Sequence, residues 1–314
     1  MLTVSDVQRI LRVMEKKRKQ HYVWEHYLDG WATEGRIWCR RAGRVFPTST
    51  ENVGQSRDFY RLRELSERDV RVVKELIVDR TDGAQREVHL EWLELFTAPY
   101  QLKRSYDAGP VRSEALDHQL DVMINNIEED LHAMIEGQST RFLIALREGD
   151  LAFVSNRDDM ASFTLYLAFQ YMRTPRVMRR SVDATAGIIP HFDSEAAWGV
   201  MRTMFATNIG AALFAAREGL RITLLQSDPT LTFITGDQPA INTAAVGLAP
   251  GEQTEKLELY YPVSPELAVL ISAQHATPGV GRRQINRQQT KEYNEMIATM
   301  SDEQLYAGSE QALQ

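Results

Sequence analysis

Apolar residues in the middle of the chain follow the period of amphipathic helices. From about residue 67 to residue 218 they recur every three or four positions, so this stretch is predicted to be helical. In the clearest stripe, Ser113 is placed to cap a helix and Gly137 to end it. The apolar members of that stripe, which we expect to face the core, are Leu116, Leu120, Met123, Ile127, Leu131 and Met134.

The two flanks of this helical block carry the pattern of β-strands. Near the start, Ala42-Gly43 separates two strand-like runs, residues 36–41 and 44–47, as the turn of a hairpin would. An extended segment ending in Phe59-Tyr60 is expected to add to the same sheet. Four apolar runs between turn residues predict strands in the last third, at residues 222–225, 231–234, 257–261 and 268–271.

The change of period predicts an α+β fold, with a mostly helical central block and a small, mainly antiparallel sheet built from N- and C-terminal segments. No linker, repeat or low-complexity segment is found, so residues 1–314 are predicted to form a single intertwined domain. Its helical sub-region would be residues 67–218, and its sheet-forming segments residues 36–60 and 221–308. A helix capped by Ser5 is predicted to precede them.

Composition and charge narrow the class of protein. Hydrophobic residues make up 43% of the chain and charged residues 25%, as in soluble globular proteins, and a net charge of -7 gives no general attraction to nucleic acid. A signal peptide and an apolar run of about 18 residues are both missing, so no membrane partner is expected. Cys39 is the single cysteine, which excludes an intramolecular disulfide and favours a reducing cytoplasm. The oligomeric state is not indicated.

The first candidate for chemistry is His21, which lies in an aromatic-rich run. Residues 21–31 are predicted to form a helix, in which His21 and Glu25 share a face because they are four positions apart. A histidine can transfer protons near neutral pH or bind a metal as neutral imidazole. The alternative is a histidine whose hydrogen bonds are satisfied within the core.

A second candidate lies on the helix with the clearest stripe. Glu128 and His132 are four positions apart, so both could reach one divalent cation, with Asp121 behind them. The alternative is a hydrated flank of the helix.

The third candidate combines an arginine with an acid at the ends of two elements. Arg173 shares a helix face with Gln170 and precedes Thr174-Pro175, where its guanidinium could clamp a carboxylate or phosphate or pair with a buried acid such as Asp237. Asp237 follows a predicted strand, and it could equally hydrogen-bond its own turn. We expect Arg173 and Asp237 to approach each other or to share a ligand.

Several short motifs follow one another along the chain: His21-Tyr22-Val23, Tyr27-Leu28, Trp38, Asn52-Val53, Asp58-Phe59-Tyr60, Arg173-Thr174-Pro175, Ile234-Thr235-Gly236-Asp237-Gln238-Pro239 and Tyr261-Pro262-Val263-Ser264-Pro265. In this order they resemble a bacterial family catalogued as domain of unknown function four-two-three-eight, over roughly residues 20–308. The family usually begins His-Tyr-Val-Pro, whereas this chain has Trp24 for the proline and Trp31 for a phenylalanine. The resemblance implies a shared site at His21, Arg173 and Asp237 and names no reaction.

Two hypotheses about function remain open. Histidine, carboxylates and a fixed arginine suit a hydrolase, such as a metal-dependent phosphodiesterase or a nuclease-like enzyme, that acts on a phosphate ester in an anionic small molecule or nucleic acid. Its catalytic residues would be His21, Glu128, Arg173 and Asp237, and its ligands for a divalent metal would be His21, Glu128 and Asp237. The alternative is a non-catalytic sensor or interaction protein that binds an anionic ligand or partner. A phosphate-binding loop, a dinucleotide fingerprint and a Gly-x-Ser-x-Gly elbow are missing, so ATP, NAD and serine-esterase chemistry lose support.

Overall fold

A computed structural model describes residues 15–110, 112–185, 187–249, 252, 254–274 and 277–314. The predicted helix that begins at Ser5 starts outside these residues. Within them the chain forms helices and β-sheets of the predicted α+β class. None of the described helices is long and apolar enough to cross a membrane.

The α-helices of the described residues are α1 (Glu25–Leu28), α2 (Glu67–Leu76), α3 (Gly83–Ala108), α4 (Glu114–Arg147), α5 (Arg157–Met172), α6 (Pro175–Thr185), α7 (Ser194–Ala216) and α8 (Arg287–Met300). The strands are β1 (Lys19–His21), β2 (Arg36–Arg41), β3 (Arg44–Ser49), β4 (Gln55–Arg57), β5 (Arg221–Gln226), β6 (Thr235–Gly236), β7 (Ile241–Asn242), β8 (Glu258–Pro262), β9 (Leu267–Ser272), β10 (Gly279–Gln284) and β11 (Gln304–Ala307).

The chain divides into two compact units, each built from three segments. Unit 1 comprises Met1–Gln20, Ser56–Met134 and Ala186–Met204, and unit 2 comprises His21–Gln55, Ile135–Thr185 and Phe205–Gln314. Unit 1 therefore contains α2, α3 and the N-terminal parts of α4 and α7. Unit 2 contains the two larger sheets together with α1, α5, α6 and α8.

The sheets of unit 2 combine segments from both ends of the chain. A four-stranded sheet has the order β3-β2-β11-β6, and a five-stranded sheet has the order β10-β5-β9-β8-β7. In the first sheet β2 pairs antiparallel with both β3 and β11, so the N-terminal hairpin and the last strand lie side by side. In the second sheet only the pair of β10 with β5 is parallel. This confirms the predicted mainly antiparallel sheet built from N- and C-terminal segments.

The hairpin turn forms at Ala42-Gly43, as predicted. Both residues have positive φ, 50° and 74°, which is the combination found in type I′ turns. The twist of that turn matches the twist of the flanking strands. The local turn chemistry therefore fixes the register of β2 against β3.

The longest helix of the described residues departs from the prediction. α4 continues through Gly137 to Arg147, because the next turns bury Phe142, Leu143 and Leu146. Glycine in a helix costs about 1 kcal/mol relative to alanine, less than the burial of three such side chains contributes. Of the predicted stripe, Leu120 and Leu131 are buried and Met123 and Ile127 are partly buried, whereas its two ends, Leu116 and Met134, are exposed.

The predicted helix over residues 21–31 is wrong over its first turn. The backbone N–H groups of Tyr22 and Val23 both donate to the carbonyl oxygen of Gly54, at 2.9 Å each, which keeps this stretch extended. α1 is therefore a single turn that begins at Glu25. Gly54 has φ of 62°, and a Cβ there would lie 2.8 Å from the Cβ of Val23, so the close approach requires glycine.

Three other elements differ from the sequence prediction. β4 pairs with β1 in a separate two-stranded sheet rather than with the hairpin. The run at residues 231–234 is not a strand, and the short strand β6 follows it. α6 begins at Pro175, directly after the predicted element end at Arg173, and proline is well tolerated as the first residue of a helix.

Candidate functional site

His21 lies at the C-terminal end of β1 and is partly buried. Its Nε2 atom is 3.2 Å from the carbonyl oxygen of Glu51, an acceptor, so we assign the tautomer that carries the proton on Nε2. In that tautomer the basic lone pair is on Nδ1. Burial lowers the pKa of His21 below its usual value, although the nearby Glu25 carboxylate acts in the opposite direction. The imidazole is therefore neutral at neutral pH.

Arg173 follows α5 and has only 1% of its surface exposed. Its Nη1 donates to the carboxylate of Glu136 on α4, and its Nη2 donates to the backbone carbonyl oxygen of His21. A buried charge requires such partners, since an unpaired one would be costly. The buried acid that pairs with Arg173 is thus Glu136, and the guanidinium holds the backbone of His21.

Asp237 lies directly after β6 and has 2% of its surface exposed. Its carboxylate accepts three backbone hydrogen bonds, from the N–H groups of Asp302 at 2.6 Å, Glu303 at 2.7 Å and Gln304 at 2.9 Å. Asp237 therefore bonds the segment that leads into β11 and not its own turn. Burial raises its pKa to about 6, although the amide donors act in the opposite direction.

The expected direct pair of Arg173 and Asp237 does not form, because Asp237 is bonded to backbone amides. Their immediate neighbours are joined instead, since the hydroxyl of Thr174 donates to the side-chain carbonyl of Gln238. Gln238 Nε2 in turn donates to the carbonyl oxygens of Tyr171 and Ala240. The end of α5 and the turn after β6 are therefore fixed to each other.

Glu128 lies on α4 within unit 1, where it is 1% exposed. Its Oε1 atom is 2.5 Å from Arg202 Nε and 3.7 Å from His132 Nε2. Burial by itself would raise the pKa of Glu128, but the charge of Arg202 outweighs it, with the neighbouring His132 acting in the same direction, so the pKa is lowered. The Arg202 guanidinium also lies 4.6 Å from the centroid of the Tyr60 ring. Glu128 is thus an anion neutralised by an internal ion pair.

The four predicted site residues fall into different surroundings. His21, Arg173 and Asp237 belong to unit 2, and Glu128 belongs to unit 1. The structure joins His21 to Arg173 through the backbone of His21. Among the described residues, no group of three or more histidine, cysteine, aspartate or glutamate side chains is arranged to hold a metal ion. The assignment of His21, Glu128 and Asp237 as metal ligands therefore gains no support from the geometry.

Three buried tyrosines of unit 2 are linked by hydroxyl contacts and ring stacking. The hydroxyl groups of Tyr166 and Tyr261 are 2.7 Å apart, and the Tyr27 hydroxyl is 2.6 Å from Thr235 Oγ1. The rings of Tyr27 and Tyr261 are stacked, with centroids 5.0 Å apart. Burial raises the pKa of all three phenols, so they remain protonated hydrogen-bonding groups.

Gln170 completes one polar face of α5. Tyr166, Gln170 and Arg173 are three or four positions apart, which places them on the same side of the helix. Gln170 is fully buried, yet neither its side-chain oxygen nor its nitrogen has a hydrogen-bond partner among the described residues. Buried amides are normally hydrogen-bonded, so Gln170 is an exception among the buried polar side chains of unit 2.

Sequence analysis missed two members of these clusters, Glu136 and Arg202. Glu136 follows the apolar Ile135 on α4, and its partner Arg173 is 37 positions away. The continuation of α4 beyond Gly137 could have been inferred from Phe142 and Leu143, which extend the apolar pattern. Nothing in one sequence indicates which distant arginine each acid meets.

Comparison with known proteins identifies a family. The family described as "Protein of unknown function (DUF4238)" matches residues 19–210 and 200–311. The chain belongs to this family, which confirms the resemblance seen in the motif order. Neither the curated proteins nor the solved structures contain a significant match to the chain.

Proposed function

We propose that this protein is a cytoplasmic enzyme that uses His21 to transfer a proton during hydrolysis of an anionic ester, with phosphate esters as the first substrate class. The observation that carries the proposal is the partly buried imidazole of His21, whose pKa is lowered and whose Nε2 faces the carbonyl oxygen of Glu51. A neutral imidazole near physiological pH can accept a proton from water, which is the requirement for a general base.

Arg173 acts in this proposal as a positioning residue. Its guanidinium is engaged by Glu136 and by the carbonyl oxygen of His21, so it orients the base and does not grip the substrate. The positive charge of Arg173 also disfavours the protonated imidazole and so contributes to the lowered pKa of His21. The Glu25 carboxylate acts on that pKa in the opposite direction and more strongly than Arg173, so the choice of phosphate esters rests on the residue types of the site, a histidine with carboxylates and an arginine.

The cytoplasmic location rests on cysteine use and on its surroundings. Cys39 is the single cysteine of the chain, and it is fully buried in β2. Burial raises the pKa of its thiol to about 11, which leaves it unreactive as a nucleophile. A chain with one inert thiol has no need of an oxidising compartment.

The test is an assay of the full chain on bis(p-nitrophenyl) phosphate, p-nitrophenyl phosphate and a dinucleotide, with added Mg²⁺ or Mn²⁺ and with EDTA. His21→Gln keeps a donor for Glu51 but cannot accept a proton, so turnover should fall by about 100-fold or more. His118→Gln is the matched control, because His118 is an exposed histidine on α4.

Two results would overturn the enzyme proposal. One is the lack of turnover on all three substrates by the wild-type chain; the other is equal turnover by His21→Gln and His118→Gln. In wild type, kcat/KM should also decline as the pH falls through the pKa of His21, which lies below its usual value of 6.5. If His21 has only a structural role, kcat/KM should show the same dependence on acidic pH in His21→Gln as in wild type.

The second candidate is a non-catalytic protein that binds an anionic ligand. It is favoured by the internal pairing of Arg173 with Glu136 and of Asp237 with backbone amides, since both charges already serve the fold. In that case Glu136→Gln should lower the melting temperature and leave no chemical activity to lose. Turnover that depends on His21 would decide against it.

A further inference from the structure

A hollow of about 340 Å³ lies in unit 2 and includes none of the residues of the His21 site. Its walls come from the start of α5 with the short turn before it, and from the turn that follows α7. The lining residues are Val154, Ser155, Arg157, Met160, Arg217 and Glu218. The volume lies at the lower end of the range for pockets that hold small organic molecules, about 300–1,000 Å³.

The two arginines of this hollow share one aromatic ring. The guanidinium carbon of Arg217 is 4.5 Å from the centroid of Phe214, and that of Arg157 is 5.9 Å from the same centroid. Arg217 is fixed further, because its Nη1 donates to the carbonyl oxygen of Phe214 at 3.0 Å. Its Nη2 is 3.3 Å from a carboxylate oxygen of Glu218. One of the two guanidinium groups is therefore held in a defined place.

Arg157 is not neutralised in the same way. Its guanidinium has no hydrogen bond or ion pair with any residue that the structure describes, and it lies over the Phe214 ring. Glu218 is the acid that lines the hollow, and its side chain is 87% exposed, so its pair with Arg217 is screened by solvent. Arg157 and Arg217 therefore line the same concave surface, and the carboxylate of Glu218, which lines it too, is held only weakly by Arg217.

Such an arrangement favours an anion between the two arginines. Arginine presents N–H donors in a planar fork that matches a carboxylate or a phosphate group. The buried Met160 and the partly buried Val154 provide an apolar wall beside the charges. The chemistry of the hollow is therefore that of a small organic anion, with a charged head and an apolar body.

We propose that this hollow binds a small organic anion whose carboxylate or phosphate group lies between Arg157 and Arg217 and whose apolar part contacts Met160 and Val154. The site is independent of the proton-transfer function proposed for His21. It adds a second binding site to unit 2, one for which the sequence has no motif.

Isothermal titration of the full chain with phenyl phosphate, benzoate and benzyl alcohol tests this proposal. Phenyl phosphate or benzoate should bind, benzyl alcohol should not, and added NaCl should weaken binding of the anion. Binding of only one of the two anions would identify the head group and support the site. Arg157→Gln and Arg217→Gln should each weaken binding by about tenfold, the loss expected for a charge-assisted hydrogen bond.

Arg36→Gln is the matched control, because Arg36 is an exposed arginine at the start of β2 and does not line the hollow. If Arg217→Gln unfolds the chain, Arg157→Gln still decides, since the Arg157 guanidinium holds no described backbone group. Failure of both anions to bind at about 10 mM, equal binding of benzyl alcohol, or unchanged binding by Arg157→Gln would each overturn the proposal.

Discussion

Among the buried polar side chains of unit 2, Asp237 and Gln170 differ in how well their hydrogen bonds are satisfied. Asp237 accepts three backbone N–H groups, while the amide of Gln170 has no described partner. Carboxylates with amide donors often have lowered pKa values, so the raised value at Asp237 shows that burial outweighs the donors. Both residues can be tested without any knowledge of a ligand.

The raised pKa of Asp237 has a defined effect on stability. An acid whose pKa is about 6 when folded and 3.8 when unfolded binds its proton more tightly in the folded state. The ionised form therefore destabilises the fold, and the contribution of Asp237 falls by about 2 kcal/mol as the pH rises from 4 to 7. Asp237→Asn cannot titrate, so the free energy of unfolding of wild type minus that of Asp237→Asn should decrease over this range.

Denaturant titrations of both proteins at several pH values measure this difference, and the contributions of the other acids cancel in the subtraction. A difference that increases from pH 4 to pH 7 would contradict the prediction. It would mean that the three amide donors lower the pKa of Asp237 below its unfolded value.

The second residue-scale prediction concerns the unpaired amide. Gln170→Met keeps the approximate volume and removes two unsatisfied polar atoms, so the free energy of unfolding should rise by about 1 kcal/mol or more. Gln238→Met is the matched control, because Gln238 is equally buried and bonds Thr174 Oγ1 and the Tyr171 carbonyl oxygen. That variant should be destabilised. Equal losses in both variants, measured by chemical denaturation, would show that water satisfies Gln170.

At the scale of elements, the sequence predicts structures that depend on adjacent residues. It does not predict where a contact with a distant segment overrides a local preference. Ala42-Gly43 fixes the hairpin because the turn type depends on those two residues alone. The aromatic run after His21 has helical spacing, but the backbone N–H groups of Tyr22 and Val23 donate to the carbonyl oxygen of the distant Gly54. Gly137 signals a helix end, yet the apolar side chains that follow it extend α4. Each error arises where a tertiary contact outweighs a local preference.

Gly137 gives a direct test at this scale. It lies in the interior of α4, is exposed, and a Cβ at this position would have nothing within 4 Å. Gly137→Ala should therefore increase the free energy of unfolding by about 1 kcal/mol, because alanine restricts the unfolded chain and favours helix.

Gly199→Ala in α7 is the control for this substitution. Its Cβ would lie 2.9 Å from Glu128 Oε2 and 3.2 Å from a ring carbon of Phe96, so the same change should be destabilising there. Destabilisation by Gly137→Ala as well would show that Gly137 is not helical and that the helix ends there, as its sequence suggests.

At the scale of the whole molecule, the sequence predicts the fold class but only part of the candidate site. The switch from helical to strand period at both flanks is enough to predict a sheet shared by the two ends of the chain. The separate pairings of Glu136 with Arg173 and of Glu128 with Arg202 depend on helix packing. These partners are 37 and 74 positions apart, and no periodicity encodes their choice.

The way the chain builds its two units leads to a prediction about cooperativity. The chain passes from one unit to the other five times, and α4 and α7 each contain residues of both units. Because α4 and α7 each belong to both units, full unfolding of one unit disrupts a helix that also contains residues of the other. We therefore expect a single thermal transition, as the prediction of one intertwined domain requires. Calorimetry of the full chain measures the number of transitions.

A variant of unit 1 makes this prediction sharper. Arg202→Met leaves Glu128 as a buried charge with its strongest partner removed, which should cost about 3–5 kcal/mol. With the expected cooperative unfolding, the whole transition should move down by roughly 10 °C and remain single. Arg63→Met, which breaks the exposed pair of Arg63 with Glu195 in the same unit, should move it by about 2 °C or less. Two transitions, of which only one moves in Arg202→Met, would show that the units unfold independently and that the chain comprises two domains.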